Sequence, residues 1–257
     1  MVDELGNRMK SHFENVTRYY LPRRTYTICR LDGKAFHTLT RGCEKPFDNE
    51  FMKAMDKTTL GLCNSIQGVQ FAYTQSDEIS LLLTDFDTTF TSAWFDGNIQ
   101  KIASVSASIA TAHFNESDFS LLHTKHLALF DSRVFTIPDV TEVYNYFVWR
   151  QQDAIRNSIQ GLGQAHFSPK ELHGKSCEQI KELLEFIEVP WESQPADFSR
   201  GRFFERVVTK KDVEYIHKKT GEKRVVEGAV RHEWQKAEMP IFTNNPSWLK
   251  ERIPRNE

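Results

Sequence analysis

A chain of 257 residues is long enough for one large domain, or for a core domain with an appendage. Its 39% hydrophobic and 26% charged residues are enough to build a packed core and exclude wholesale disorder. A formal net charge of −2 argues against a surface coated for nucleic acid, although a local basic surface depends on distribution rather than on the total.

No apolar run approaches the roughly 20 residues that span a bilayer. The N-terminus, MVDELGNRMKSHFENV, is charged and helical in pattern and lacks the apolar stretch of a secretory signal. Cys29, Cys43, Cys63 and Cys177 are scattered, with no CxxC pair. That spacing argues against a zinc site or a disulfide framework and fits reduced thiols in a cytoplasm.

In chain order, Leu5, Met9, Phe13, Val16 and Tyr20 recur at helical spacing after Asp3, a natural cap, so a helix is predicted over 3–20. Thr25–Leu31 reads as a strand ending at Asp32-Gly33. A helix opened by Pro46 and Asp48 follows, with Phe51, Met52, Met55, Leu62 and Cys63 on its apolar side. Val69–Tyr73 and Ile79–Leu83 are predicted strands joined by TQSDE. Residues 97–114 read as a helix with Ile102, Ser106, Ile109 and His113 on one face, and Arg133–Ile137 as a strand stopped by Pro138. Beyond it, Val140–Leu162 is a long aromatic-rich helix, and short helices are expected at Ser168-Pro169 and Ser176–Phe186. Three strands are expected at Phe203–Val208, Val213–His217 and Arg224–Val230, in the most basic part of the chain.

The order β-α-β-β-α-β is that of the split-βαβ, ferredoxin-like unit. The fold class expected is therefore α+β: a ferredoxin-like palm domain over 1–138, an antiparallel sheet with helices on one face. A helical and β-hairpin extension over 139–257 completes the chain. In that topology the first and third strands are neighbours. Asp32, ending strand one, should then meet Asp77 and Glu78, opening strand three, some 45 residues away in sequence.

Three carboxylates at one sheet end repel one another without a cation, and oxygen ligands with water and a backbone carbonyl suit Mg²⁺. Gly33, without a side chain, allows a phosphate or metal close to the backbone. Taken singly, Asp32-Gly33 is an ordinary strand-end turn and Asp77-Glu78 a polar hairpin tip; their convergence favours a two-Mg²⁺ phosphoryl-transfer site of palm type. Lys34 and Lys45 flank the loop after strand one. Lys101 lies early in a helix whose N-terminal dipole also attracts phosphate. Arg133 belongs to the far sheet end or to a second phosphate site. Singly, each of these cations is more commonly a solvated surface charge. A base could stack on Phe36 or His37, although a core role is the ordinary one for Phe36.

RLDGKAFH (30–37), KPFD (45–48), FAYTQSDEISLLL (71–83), FDSRVF (130–135) and NYFVWRQQDAIRN (145–157) occur in this order. Together they resemble the tRNA(His) guanylyltransferase-like family of 3′-to-5′ nucleotide polymerases over roughly residues 3–160; one such motif alone would carry nothing. The resemblance implies nucleotide addition to the 5′ end of tRNA. The 5′-phosphate is activated by ATP or is already a triphosphate, and the 3′-hydroxyl of an incoming GTP or other NTP then attacks it. It implies that Asp32, Asp77 and the Gly33 carbonyl hold two Mg²⁺ with Glu78 in support. Lys45, Asp48, Ser76 and Lys101 would contact nucleotide and triphosphate, and His37 would lie against the nucleotide. Arg133, Arg150 and Asn157 would serve a second nucleotide or the RNA 5′ end. A homotetramer is implied, with tRNA reaching across subunits and residues 200–236 as a candidate contact.

Where the eukaryotic branch has HINNLYNT, this chain reads AIRNSIQGL, with Ile155 in place of the His and Asn157 retained. The family's FDG is FDS here, at Phe130-Asp131-Ser132. The first departure points to the bacterial or archaeal-type branch, which adds templated nucleotides and repairs 5′-truncated tRNA. The alternatives are addition of one untemplated G to tRNA(His), a palm-type nucleotidyl cyclase, and a catalytically dead RNA-binding module. No aromatic pattern of the single-strand-reading kind supports the last.

Overall fold

The computed structural model of the chain describes residues 3–123 and 126–256. Asp3 caps the first helix, its carboxylate accepting from the Gly6 N–H at 2.8 Å. That helix, α1 (Glu4–Met9), continues as a π-helical turn over Lys10–Glu14 and a 3₁₀ turn over Asn15–Thr17. The strand β1 (Tyr26–Gly33) follows, then a single helical turn α2 (Phe36–Leu39) and the helix α3 (Asn49–Ser65). The hairpin strands are β2 (Val69–Gln75) and β3 (Glu78–Leu83), followed by α4 (Ile99–Asn115), α5 (Asp118–His123) and β4 (Phe130–Ile137).

The long helix α6 (Val140–His166) opens the rest, with α7 (Pro169–Leu172), α8 (Cys177–Phe186) and α9 (Ala196–Ser199) after it. The strands β5 (Arg202–Ile216) and β6 (Lys223–Ala237) precede the final helix α10 (Pro246–Lys250).

Among the described residues the strands form one antiparallel sheet in the order β4-β1-β3-β2-β5-β6. Period-2 alternation divides its side chains between two cores. On one face, Cys29, Leu31, Ile79 and Leu81 meet Met55 and Leu62 of α3 and Ile102 and Phe114 of α4. On the other, Ile28, Phe71, Tyr73 and Leu82 meet Val143 and Phe147 of α6, with Phe242 and Leu249 from the C-terminal segment. A third cluster joins Ile159 and Leu162 of α6 to Ile180 and Leu184 of α8 and to Trp191.

The α+β class and the β1–β3 adjacency are those expected, and three details differ. Helices cover both faces rather than one, because α6 carries its own apolar stripe back across the sheet. The three strands expected between 203 and 230 are two 15-residue strands. Only Arg202–Glu205 pairs with β2, so the rest of the β5–β6 hairpin runs on as a two-stranded ribbon. The N-terminal helix is α-helical for six residues only.

Candidate active site

Antiparallel pairing sets Asp32 opposite Glu78 across β1–β3 and opposite Asp131 across β1–β4. Gly33 donates its N–H to the Asp77 carbonyl at 3.2 Å. Ser76 and Asp77 form a two-residue turn between β2 and β3, and Ser76 is held at φ 46°, a left-handed conformation that costs a non-glycine residue on the order of 1 kcal/mol. The predicted convergence of Asp32 with Asp77 and Glu78 is therefore present. Gly33 is required for a steric reason: a Cβ there would sit 2.3 Å from the Phe36 ring.

Burial pushes the Asp77 carboxyl up to about 6, and the Asp32 charge beside it acts in the same direction. Glu78 lies in a different environment. Arg150 Nη1 donates to its Oε2 at 2.6 Å, and Arg30 Nε lies 3.9 Å from the same oxygen. Burial nonetheless holds the Glu78 carboxyl above the ordinary range, against the lowering effect of both guanidinium groups. Arg150 is itself buried, 3.5 Å from Asp153 and 3.6 Å above the Trp149 ring. Glu78 Oε1 and the Nε atoms of Arg30 and Arg150 are buried without hydrogen-bond partners. Glu78 thus spends its charge on two arginines. Asp32 and Asp77 remain as the carboxylates available to a cation.

Among the described residues no three His, Cys, Asp or Glu side chains converge into a metal cage. Two carboxylates and a nearby glycine carbonyl still fit Mg²⁺, which takes one or two protein carboxylates and fills its octahedron with water and substrate phosphate. The donor set is all oxygen, so it does not suit a soft metal.

Beside the turn opens a cleft of about 440 Å³, a volume typical of small-molecule sites. Gly33, Phe36, His37, Lys45, Asp48, Ser76, Asp77 and Asn157 line it. Phe36 does so from the core, packed on Phe51, Phe114 and Phe130. Asp48 shapes the loop: its Oδ1 accepts from Phe51 N at 2.8 Å, capping α3, and its Oδ2 accepts from Glu44 N at 3.0 Å. Asn157 Nδ2 lies 3.4 Å from Asp153 Oδ2.

The remaining predicted residues do not line the cleft. Asp32 and Glu78 stand on the α6 face of the sheet end, and Arg150 lies buried behind Glu78. Lys34 is exposed, its backbone N–H donating to the Leu129 carbonyl at 2.8 Å. Lys101 is exposed in the first turn of α4, its ammonium 5.7 Å from the Phe95 ring centre. Arg133 is exposed in mid-strand, opposite Arg30 and 3.8 Å from Asp131.

Sequence reasoning missed the wall supplied by the C-terminal third, Asp197, Phe198, Gly201 and Arg202. Phe198 stacks on Phe47 with ring centres 4.7 Å apart and planes at 11°. Arg202 is buried against Asp56 and donates from Nη1 to the Asp197 carbonyl at 3.3 Å; Asp197 pairs with Lys236. Gly201 has φ +83°, and a Cβ there would meet the Tyr73 hydroxyl at 2.6 Å. Nothing in ADFSRGR has the spacing of a site. It reaches the cleft only because β5 pairs with β2.

Comparison with known proteins places this geometry. Residues 6–138, more than half of the chain, match the family model described as tRNAHis guanylyltransferase. The chain belongs to that family. A bacterial tRNA(His) guanylyltransferase-like protein, solved in complex with ATP, is 37% identical. It superposes with a TM-score of 0.83 over 97% of this chain and 99% of its own. A bacterial tRNA(His) guanylyltransferase-like protein in complex with GTP has the same identity and coverage with a TM-score of 0.76. The tRNA(His) guanylyltransferase of Kluyveromyces lactis is 30% identical over 217 residues, 75% of this chain and 89% of that protein. This member of the family is a nucleotidyltransferase. Its likeness to the bacterial structures runs through the C-terminal third, beyond the residue-160 limit of the motif resemblance. Among the described residues no helix is long and apolar enough to cross a membrane.

Proposed function

We propose that this enzyme extends the 5′ end of tRNA in the 3′-to-5′ direction, selecting each nucleotide by pairing with the opposite strand, and so repairs 5′-truncated tRNA. The observation that carries the reading is Asp77 lining a nucleotide-sized cleft, with the Asp32-Gly33 strand end bonded beside it. The templated branch is favoured over untemplated G addition by Ile155, in the place of the eukaryotic His, and by 37% identity with the bacterial proteins against 30% with the yeast enzyme. The cyclase reading gives the tRNA-acting relatives no role.

The β1–β4 portion is read as a ferredoxin-like palm within 1–138, with 139–257 as an extension for tRNA and subunit contacts in a cytoplasmic homotetramer. Asp32, Asp77 and the Gly33 carbonyl would hold two Mg²⁺. When bound, the ions supply activation of the attacking oxygen and charge stabilisation of the leaving one. In activation, an oxygen of the tRNA 5′-phosphate attacks the α-phosphorus of ATP and pyrophosphate leaves. In transfer, the 3′-hydroxyl of the incoming NTP attacks the activated 5′-phosphorus and AMP leaves, or pyrophosphate when the tRNA carries a triphosphate.

The chain's own contribution is position and charge. Lys45 and the Ser76 hydroxyl face the cleft where phosphate would lie, and His37 and Asn157 bound it. Asp48 fixes the Glu44–Phe51 loop that carries Lys45. Lys34, Lys101 and Arg133, exposed on neighbouring elements, are assigned to triphosphate or the RNA 5′ end. Arg150 acts through Glu78, which it holds away from the cation pair.

Asp32→Ala and Asp77→Ala should each abolish nucleotide addition with an unchanged circular dichroism spectrum. Full activity in either variant would remove the carboxylate pair from the chemistry.

A further inference from the structure

Trp149 is 51% exposed, whereas the other large apolar side chains of α6 are buried or half-buried. The Arg150 guanidinium lies 3.6 Å from the centre of its ring, and the Tyr146 ring meets it at 67° with centres 6.0 Å apart. The indole is therefore held in place while half of its surface faces water, the arrangement of a stacking platform rather than of a core residue. Its contacts place it beside the Asp32 strand end. Arg150 joins it to Glu78 through a 2.6 Å hydrogen bond, and Glu78 is the partner of Asp32 across β1–β3. Tyr146 joins it to Phe135 of β4, ring centres 5.8 Å apart, and Phe135, Arg133 and Asp131 alternate onto one face of that edge strand. Arg133 is exposed there, 3.8 Å from Asp131. Arg156, also exposed and paired with Asp153, shares the helix face of Trp149 seven residues along α6.

We infer that Trp149 is the platform on which the 5′-terminal base of the RNA stacks in the complex that precedes addition, an inference that rests on the proposed tRNA substrate. Position selects this occupant. Asp77 lines the cleft, and Asp32 stands on the α6 face of the same strand end. With a nucleotide in the cleft, the second reactant reaches these carboxylates from the α6 face, where Trp149 offers an exposed ring. Charge agrees, because exposed arginines beside an aromatic platform are the combination that holds nucleic-acid ends, cations on the phosphates and a ring on the base. Every base has a π-face, so a stack holds the RNA end without reading its sequence. Selection of the added nucleotide is then left to pairing with the opposite strand. Trp149 lines no part of the cleft, so its role is to bind and position the RNA rather than the nucleotide.

The test uses the full chain and a tRNA lacking its 5′-terminal nucleotide, with a 5′-triphosphate, in Mg²⁺ and without NTP, so that binding is read apart from extension. Wild-type tryptophan fluorescence should fall as the RNA is added, and most of that fall should be missing in Trp149→Phe. Trp149→Ala should weaken RNA affinity roughly 10- to 100-fold, and Trp149→Phe, which keeps a ring, about threefold or less. GTP affinity, measured without RNA, should stay within about twofold of wild type in both variants, a result that a collapse of the Arg150–Glu78 pair would not give. Unchanged RNA affinity in Trp149→Ala, or a loss in Trp149→Phe as large as in Trp149→Ala, would overturn the platform. So would a Trp149→Ala chain that falls in mass in solution while keeping its RNA affinity, which would assign the ring to a contact between copies. A wild type that binds no RNA at all would overturn the proposed substrate and this inference with it.

Discussion

At the scale of single residues, three adjacent carboxylates do different work. Asp77 is raised to about 6 by burial and by Asp32, above the 3.8 of a free aspartate. In metal-free protein the native state therefore keeps a proton that the unfolded chain has released. The stability this group contributes is complete below about pH 4 and lost as pH rises through 6. Urea unfolding in chelator should show that slope, and Asp77→Asn should flatten it. Removing Arg150 has a larger effect, because it takes away the hydrogen-bonded partner of the buried Glu78 carboxylate and leaves it only Arg30, 3.9 Å away. Arg150→Met should cost about 3–5 kcal/mol, or roughly 10 °C in Tm, read by thermal melting. A loss below about 1 kcal/mol would show that Arg30 alone balances the Glu78 charge. The convergence of Asp32 with Asp77 was legible in sequence because strand order dictates it. The Glu78–Arg150 pair was not, because Arg150 sits 72 positions away on a helix whose face no periodicity assigns to a particular carboxylate. Phe36, which the sequence offers both as core material and as a platform for a base, is packed in the core, and its edge also reaches the cleft.

At the scale of elements, the site depends on a hairpin turn, a strand end and a loop. Asp48 closes the loop with two backbone hydrogen bonds, one of which caps α3. Asp48→Ala should cost about 1 kcal/mol of stability. It should also raise KM for the nucleotide more than it lowers kcat, since it loosens the segment carrying Lys45; steady-state kinetics separates the two. Gly201→Ala combines a left-handed φ with a clash at Tyr73, so it should disturb both the β2–β5 junction and the cleft wall. The strands and helices through β4 were readable from alternation, caps and Pro/Gly stops. Beyond residue 139 local pattern gave less. β5 and β6 are long because each completes the other's ladder, and the strength of that pairing is absent from either strand's own sequence.

At the scale of the whole molecule, one sheet brings residues from both halves of the chain to one cleft, and the N-terminal helical segment and the β5–β6 ribbon project beyond it. That distribution suits an enzyme whose substrate is far larger than its active site. The central claim is that the site adds the nucleotide dictated by the opposite strand. The most direct test uses a tRNA lacking its 5′-terminal nucleotide, carrying a 5′-triphosphate or a 5′-monophosphate with ATP, in Mg²⁺ and labelled NTPs. The unpaired opposing base is varied through all four identities, with Asp77→Ala as the control. The account predicts a 5′ extension whose identity follows each change in the opposing base and disappears in Asp77→Ala. Addition of G whatever base stands opposite, confined to tRNA(His), would contradict it.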